Sequence, residues 1–264
     1  MRRGSASLAS AGALMLLLAA CGASESEGSA EQAGEASGLT GSGTGANCRI
    51  EQAVPIGAVL SLTGPAASYG ESQRKGLELA ARELTEGVTY KLTIEDDATD
   101  PKQGIAIFER FIADDVSLII GPTLSNTAKQ TDPVAQEGQT PVLGISNTAA
   151  GITAIGDYIF RNSLTEDAVV PQTIAAAKAE LGLSKVVVLY SDDDAFTASG
   201  YDAFSKALEA NNIQIAQTIT FSKSDTDFRA QLTEAEAADP DALVVTIDRH
   251  VRGYAAHARL AKAA

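Results

Sequence analysis

The chain has 264 residues, of which 45% are hydrophobic and 20% charged, and its formal net charge at pH 7 is −14. This length and composition are typical of globular protein with one large domain or two smaller ones. So acidic a chain repels phosphate backbones and anionic lipid headgroups, which argues against a nucleic-acid partner. Its two cysteines are too few for a disulfide framework.

Residues 1–20 have the pattern of an export signal. Two arginines at positions 2 and 3 precede an apolar stretch over residues 11–20. That stretch is shorter than the roughly 20 apolar residues that span a bilayer, and it fits the central region of a secretory signal. The following Leu-Ala-Ala-Cys sequence, which ends at Cys21, resembles a bacterial lipobox. We expect the signal to be removed and Cys21 to carry a lipid that anchors the protein to the extracytoplasmic face of the cell membrane. The alternative is a plain signal peptide with an accidental cysteine.

Residues 21–48 form a segment of different composition, rich in Gly, Ser, Ala and Glu. Such a segment cannot bury enough apolar surface to offset the entropy of ordering it. We therefore predict a flexible tether between the lipid anchor and a folded body. The glycine-rich run at 41–45 superficially resembles a dinucleotide-binding loop, but no strand pattern precedes it. The role of Cys48, at the edge of the tether, stays open.

From about residue 54 onward, short apolar strands alternate with helices. In the first half the pattern predicts strands at 55–60, 90–94, 117–120 and 141–143, and helices at 69–84, 101–113 and 127–137. One face of the first helix carries Leu77, Ala80, Ala81 and Leu84. After residues 158–161 the pattern restarts, with strands at 185–190, 213–219 and 242–246 and helices at 167–181, 199–210, 225–237 and 250–262.

Repeated strand–helix units with nearly continuous apolar strands indicate an α/β fold with parallel sheets that are covered on both faces. The restart of the pattern divides the body into two lobes, which we place at residues 49–161 and 162–264. In sheets of this kind, ligands bind beyond the carboxyl ends of the strands.

Serine and threonine residues gather at those strand ends. Ser125-Asn126-Thr127 and Ser146-Asn147-Thr148 follow consecutive apolar strands. Hydroxyl groups and the N–H groups at helix N-termini bind carboxylates well, so the two clusters together can cradle one carboxylate. Helix capping uses the same residue types at the same places, and it is the alternative for either cluster alone.

Two acidic runs, at residues 96–97 and 192–194, also follow strands. Neither run has the glycine and the terminal glutamate of a calcium loop. We interpret both runs as solvated turns, in which one carboxylate of each can contact a ligand ammonium. His250 and His257 lack the spacing of a metal pair, and no other histidine exists for a nucleophile–base arrangement. The sequence predicts no metal, no cofactor and no enzyme.

Several motifs, taken in chain order, resemble those of the leucine/isoleucine/valine-binding proteins of branched-chain amino-acid ABC transporters. They are IGAVLSLTGP at 56–65, DDATDPKQ at 96–103, IIGP at 119–122, PVL at 141–143 and DDDAF at 192–196. The resemblance extends over about residues 55–246.

This resemblance implies the type I periplasmic-binding fold, in which two doubly wound α/β lobes close on a solute. It places the carboxylate-binding hydroxyl on Ser125, further carboxylate donors on Ser146 and Thr148, and an aromatic wall on Tyr69 and Phe196. The implied function is the capture of a small branched-chain-type amino acid, or a related amide, and its delivery to a membrane permease.

In members of the family, the chain continues well beyond the position that corresponds to Ala264. There it completes the second lobe, supplies an acidic ligand for the solute ammonium and crosses back to the first lobe. We therefore expect an incomplete second lobe, and we expect the 264-residue chain to fold poorly and to bind weakly by itself. Two alternatives to a transport protein stay open, which are a ligand-sensing receptor of the same fold and a non-functional fragment.

Overall fold

The computed structural model describes residues 50–84 and 87–247. The predicted signal, Cys21, the tether and Cys48 lie outside the described residues, as do both histidines and the last predicted helix. These predictions are therefore not addressed by the structure.

Eight elements form the first lobe. They are β1 (Val54–Leu60), α1 (Ala67–Glu83), β2 (Tyr90–Asp96), α2 (Pro101–Ala113), β3 (Leu118–Ile120), α3 (Ser125–Glu137), β4 (Val142–Gly144) and β5 (Ile159–Arg161). The five strands pair in parallel in the order β2-β1-β3-β4-β5. On one face of this sheet, Val59, Ile119 and Val142 pack with the buried aromatic rings of Phe108 and Phe111 from α2.

Six elements form the described part of the second lobe. They are α4 (Glu166–Leu181), β6 (Lys185–Ser191), α5 (Ala195–Ala210), β7 (Gln214–Phe221), α6 (Arg229–Ala237) and β8 (Ala242–Thr246). Its three strands are parallel, in the order β7-β6-β8. The two parallel sheets with their connecting helices confirm the predicted α/β fold class.

The central strand of the second sheet explains why its sequence is apolar without interruption. Val186 and Val188 face a core that includes Leu208 of α5, whereas Val187 and Leu189 face a separate core that includes Phe228 beside α6. Because successive side chains of a strand point to opposite faces, a strand that is covered on both faces must be apolar at every position.

Five helices begin at other residues than the sequence predicted, among them α1 at Ala67 rather than residue 69 and α4 at Glu166 rather than residue 167. Helix α3 begins at Ser125 rather than residue 127, and α5 begins at Ala195 rather than residue 199. Helix α5 starts early because Asp194 accepts hydrogen bonds from the amides of Phe196 (2.9 Å) and Thr197 (3.1 Å). Helix α6 begins at Arg229 rather than residue 225, because Asp225 closes a turn with Ser222.

Helix α1 leaves an apolar groove against the first sheet. The four residues predicted to share one face of this helix, Leu77, Ala80, Ala81 and Leu84, do lie together, and with Ile56, Leu92, Leu118 and Ile120 they line this groove. Leu84 is nevertheless 64% exposed, so the face is only partly covered by the described residues.

Within the described ranges, no helix combines the length and the apolar character that crossing a membrane requires.

Candidate functional site

A cavity of about 270 Å³ lies where the strand ends of the first lobe meet the first turns of α4 and α5. Its volume lies just below the usual range of about 300–1,000 Å³ for ligand sites. Residues of both lobes line it, namely Tyr69, Thr123, Leu124, Ser125, Asn126, Ser146, Thr148, Leu164, Glu166, Val169, Asp194 and Phe196. The structure thus brings all five predicted ligand-binding residues to one cavity, and their roles in binding stay predictions.

Close packing at Gly70 places Tyr69 at the cavity. Gly70 lies in the first turn of α1, against the loop that follows β1. A Cβ atom at this position would lie 2.1 Å from the carbonyl oxygen of Ser61, so only glycine fits. The absence of a side chain here allows the start of α1 to pack directly on the end of β1.

A second glycine shapes the chain between β3 and α3. Gly121 has a φ of +113°, and a Cβ there would lie 2.2 Å from the carbonyl oxygen of Val59. Only glycine tolerates both this backbone conformation and the close approach. The segment that leads to Ser125 is therefore held against β1.

Ser125 joins the two polar clusters that the sequence singled out. Its Oγ accepts hydrogen bonds from the backbone amides of Thr148 (3.1 Å) and Ala149 (3.2 Å). Since both bonds use the oxygen as acceptor, the hydroxyl proton of Ser125 is left to donate. The hydroxyl of Thr148 forms no hydrogen bond within residues 50–84 and 87–247, so it too can serve a ligand.

Ser146 differs from these two residues because its hydroxyl is already used. Its Oγ accepts from Nε2 of Gln73 (2.6 Å) and donates to the carbonyl oxygen of Thr123 (2.6 Å). The Thr123 hydroxyl donates to Oε1 of Gln73 (2.8 Å) and accepts from the amide of Ser61 (3.0 Å). The single proton of Ser146 is thus committed to this network, which leaves its backbone amide as the donor for a carboxylate.

Asn126 links the two lobes beside the cavity. Its Oδ1 accepts from the amide of Ala195 (2.7 Å), and its Nδ2 donates to Oδ2 of Asp194. The N-termini of α3 and α5 therefore meet through one side chain. A second link runs from the amide of Ala150 to the hydroxyl of Ser199 (2.9 Å).

The interpretation of the acidic runs as solvated turns is wrong for two of their members. Asp97 is fully buried, and Asp194 is only 6% exposed. Burial raises the pKa of Asp97, although Oγ of Ser61 (2.7 Å) and the amide of Thr99 (2.8 Å) donate to it. Sequence spacing alone did not reveal that these carboxylates act as local acceptors for the backbone.

Asp96, next to Asp97, organises the loop after β1. Partial burial raises the pKa of Asp96, but hydrogen bonds from the hydroxyl of Thr63 and from the amides of Ala98, Thr63 and Leu62 outweigh it. The pKa of this carboxyl is consequently held below its usual value, and the group is a charged acceptor at neutral pH. The Asp96 carboxylate therefore holds the loop after β1 in place and is not simply a solvated group.

Glu166 is the cavity residue of greatest chemical interest that the sequence analysis missed. It lies in the first turn of α4, where an acidic side chain is commonly favoured by the helix dipole. Because the helix dipole alone explains an acid at this place, the sequence gives no reason to assign Glu166 to a binding site. Its Oε2 atom is buried and accepts no hydrogen bond within the described part of the chain.

No group of three or more His, Cys, Asp or Glu side chains in the described ranges is arranged to hold a metal ion.

Comparisons with known proteins identify a family to which this architecture is similar. The family model described as periplasmic binding protein matches residues 53–252. The Leu/Ile/Val-binding protein BraC3 of Rhizobium johnstonii is 28% identical over 196 residues, which cover 71% of this chain and 53% of that protein. The chain spans about half the length of the curated relatives it matches.

Solved structures of solute-binding proteins have the same fold. A solute-binding protein of an ABC transporter from R. palustris, in complex with 4-hydroxybenzoate, matches with a TM-score of 0.73 at 22% identity, over 80% of this chain and 60% of that one. The branched-chain amino acid transporter substrate-binding protein LivJ from Streptococcus pneumoniae, in complex with isoleucine, matches with a TM-score of 0.68 at 24% identity, over 74% of this chain and 57% of that one. At these identities the likeness establishes the fold alone.

Proposed function

The chain belongs to the periplasmic binding protein family, and from that premise we propose that it is the extracytoplasmic substrate-binding protein of an ABC transporter. Its solute is a small amino acid of branched-chain type or a related amide. It makes and breaks no bond, and it delivers the solute to a membrane permease.

The observation that carries the proposal is the carboxylate-binding chemistry of the cavity. Ser125 has a hydroxyl proton left to donate, and the hydroxyl of Thr148 is beside it at the same cavity. Helices α3 and α5 begin at the cavity, so their positive dipole ends favour an anion there. A carboxylate therefore finds hydroxyl donors and a favourable field in one place.

The remaining surface suits an apolar side chain. Leu164, Val169 and Phe196 line the cavity from the second lobe, and Tyr69 and Leu124 line it from the first. Aliphatic and aromatic walls around a few placed polar groups are the usual composition of a small-molecule site. With a volume of about 270 Å³, the cavity suits a compact branched side chain better than an extended one.

The division at residues 161/162, the tether and the lipid on Cys21 belong to the same proposal. The strands of one sheet all lie within residues 54–161 and those of the other within 185–246, which supports two lobes that close on a solute. A lipid anchor on a flexible tether would keep the protein beside its permease. Mass spectrometry of the mature N-terminus tests this part, and an unmodified chain that starts elsewhere would contradict it.

Thr148 provides the test of the binding site. Thr148→Ala removes one hydroxyl that bonds a charged group, so we expect the binding free energy of the tightest-bound amino acid to weaken by about 1.5–3 kcal/mol. Thr148→Ser keeps the hydroxyl and is the matched control. Calorimetric titration with the standard amino acids measures both. If Thr148→Ala bound every amino acid as tightly as the unchanged chain, the carboxylate assignment would be wrong.

A further inference from the structure

The carboxamide of Gln73 connects four segments of the first lobe. Its Nε2 donates to Oγ of Ser146 (2.6 Å), and its Oε1 accepts from the hydroxyl of Thr123 (2.8 Å). The Thr123 hydroxyl also accepts from the amide of Ser61 (3.0 Å). Gln73 lies in α1, Ser146 follows β4, Thr123 lies between β3 and α3, and Ser61 follows β1. One side chain therefore helps to determine how these four segments meet.

The direction of each hydrogen bond in this network follows from the protons available. Ser146 gives its only hydroxyl proton to the carbonyl oxygen of Thr123 (2.6 Å), so it has to accept from the group at position 73. The other end of that group faces the hydroxyl of Thr123 and accepts its proton. Position 73 thus needs one donor and one acceptor in one planar group. A carboxamide has both, whereas a carboxylate has only acceptors.

Two members of the network line the cavity, and Gln73 does not. Thr123 and Ser146 are lining residues, and Thr123 is only 2% exposed. The backbone amide of Ser146 donates to no group within residues 50–84 and 87–247. Because Gln73 holds the side chain of Ser146, it also restrains the backbone of that residue. A donor that is held in place before the solute arrives loses less conformational freedom on binding.

We infer that Gln73 is a positioning residue of the carboxylate site, which orients Ser146 so that its backbone amide, and not its hydroxyl, donates to the carboxylate of the solute. The inference rests on the proposed function, because it adds a residue that acts on the same carboxylate donors. Gln73 itself makes no contact with the solute.

A second connection between the same segments explains why Gln73 sets orientation and not only distance. Ser125, in the segment after β3, accepts from the amides of Thr148 and Ala149 in the segment after β4. One connection alone leaves the two segments free to rotate about it. The bonds of Gln73 to Thr123 and Ser146 supply a second attachment point, which removes that freedom.

The test compares Gln73→Glu with Lys75→Gln in the full chain. Gln73→Glu keeps the size of the side chain, but at neutral pH it has no proton to donate to Ser146. Lys75→Gln changes the net charge by the same amount in the same helix. Lys75 is exposed and does not line the cavity. Thermal unfolding checks that the variants fold, and Gln73→Met, which also lacks the donor, replaces Gln73→Glu if the latter does not.

The two probes are leucine and leucinamide, in which a carboxamide replaces the carboxylate, and the other amino acids and their amides form the same pairs. We expect Gln73→Glu to weaken leucine by about tenfold or more, as for the loss of one hydrogen bond to a charged group. Leucinamide should weaken by about threefold at most, because hydrogen bonds to a neutral group are about half as strong. Lys75→Gln should leave both affinities within about twofold.

A double-mutant cycle shows whether Gln73 acts through Ser146. In the Ser146→Ala background, Gln73→Met should weaken leucine by about threefold or less, compared with about tenfold in the unchanged chain. Calorimetric titration measures all four chains. The cycle also decides the case in which leucinamide binds too weakly to measure.

Different failures separate the two proposals. If the unchanged chain binds an amino acid and Gln73→Glu binds it within about twofold, the inference is wrong while the proposed function stands. Equal losses for leucine and leucinamide, or additive losses in the cycle, would show a merely structural role and would also overturn the inference. Binding of ammonium-free acids alone, such as 4-hydroxybenzoate, with a dependence on Gln73 would support the inference and overturn the proposed function. Binding of no carboxylate at all would overturn both.

Discussion

The two lobes bury side chains of different chemistry. Among the described residues, nine buried polar side chains lie in the first lobe and four in the second. The second lobe is built instead around consecutive buried aliphatic residues of β6. Buried polar groups are stable only when they are hydrogen-bonded, and they fix the positions of their partners. The first lobe therefore holds the polar wall of the cavity in place, and the second lobe depends on apolar packing.

The largest expected effect is a core truncation in the second lobe. Leu189 is fully buried in the core that faces α6, and Leu189→Ala should reduce the free energy of unfolding by about 3–5 kcal/mol because it leaves a cavity. Leu181→Ala is the control, since Leu181 is 70% exposed. Urea unfolding measures both. Equal losses from the two variants would show that the second lobe does not depend on its apolar core.

In the first lobe we expect stability to depend on pH through Asp132. This side chain is 1% exposed, and burial raises its pKa to about 7, although Thr131 donates to it (3.2 Å). Between its unfolded pKa of 3.8 and about 7, the folded state holds a proton that the unfolded state has lost. The contribution of Asp132 to stability is therefore present at low pH and is lost as the pH rises towards 7 and above.

Asp132→Asn removes this titration. Between about pH 5 and about pH 8, the unchanged chain should lose about 2–3 kcal/mol more free energy of unfolding than Asp132→Asn does. Asp114→Asn, which changes an exposed acid of the same lobe, should follow the unchanged chain. Urea unfolding at both pH values is the measurement. Parallel pH profiles for Asp132→Asn and the unchanged chain would contradict the prediction.

Two glycines in α1 distinguish the effect of close packing beside the cavity on stability from the effect of helix propensity. Gly70→Ala should destabilise the chain by about 1–3 kcal/mol, because the new Cβ would lie 2.1 Å from the carbonyl oxygen of Ser61. Gly76→Ala, in the same helix, meets no atom within 4 Å and should stabilise by about 0.5–1 kcal/mol. Changes of the same sign in thermal unfolding would show that the close approach at Gly70 is not tight.

The link between the lobes should have a smaller effect than the close approach at Gly70. Asn126→Ala removes its two hydrogen bonds to the start of α5, so we expect the binding free energy of the best-bound amino acid to weaken by about 1–2 kcal/mol. The closed arrangement loses stabilisation, and a ligand that binds it must supply more of the closing free energy. Asn162→Ala, at an exposed position, is the control. Unchanged affinity would mean that this link does not favour closure.

Much of the fold could be predicted because each element carries its own pattern. The uninterrupted apolar run at residues 186–189 indicated a strand that is covered on both faces, and its side chains do pack into two separate cores. Helix starts were harder to predict. Asp194 and Asp225 are both acids that precede a helix, but one caps it directly and the other closes a separate turn.

Only the family resemblance singled out Tyr69 and Phe196 as site residues. The residue pattern itself determined the α/β class, the order of strands and helices, and the strand ends that the clusters at 125–127 and 146–148 follow. Those features follow from local periodicity and from the geometry of parallel sheets. Only the tertiary structure decided which polar groups are satisfied. Asn126 reaches Asp194, 68 positions away, while no group among residues 50–84 and 87–247 donates to Oε2 of Glu166. Hydrogen bonds of such long range depend on how the lobes pack, and no pattern within one segment of the chain encodes them.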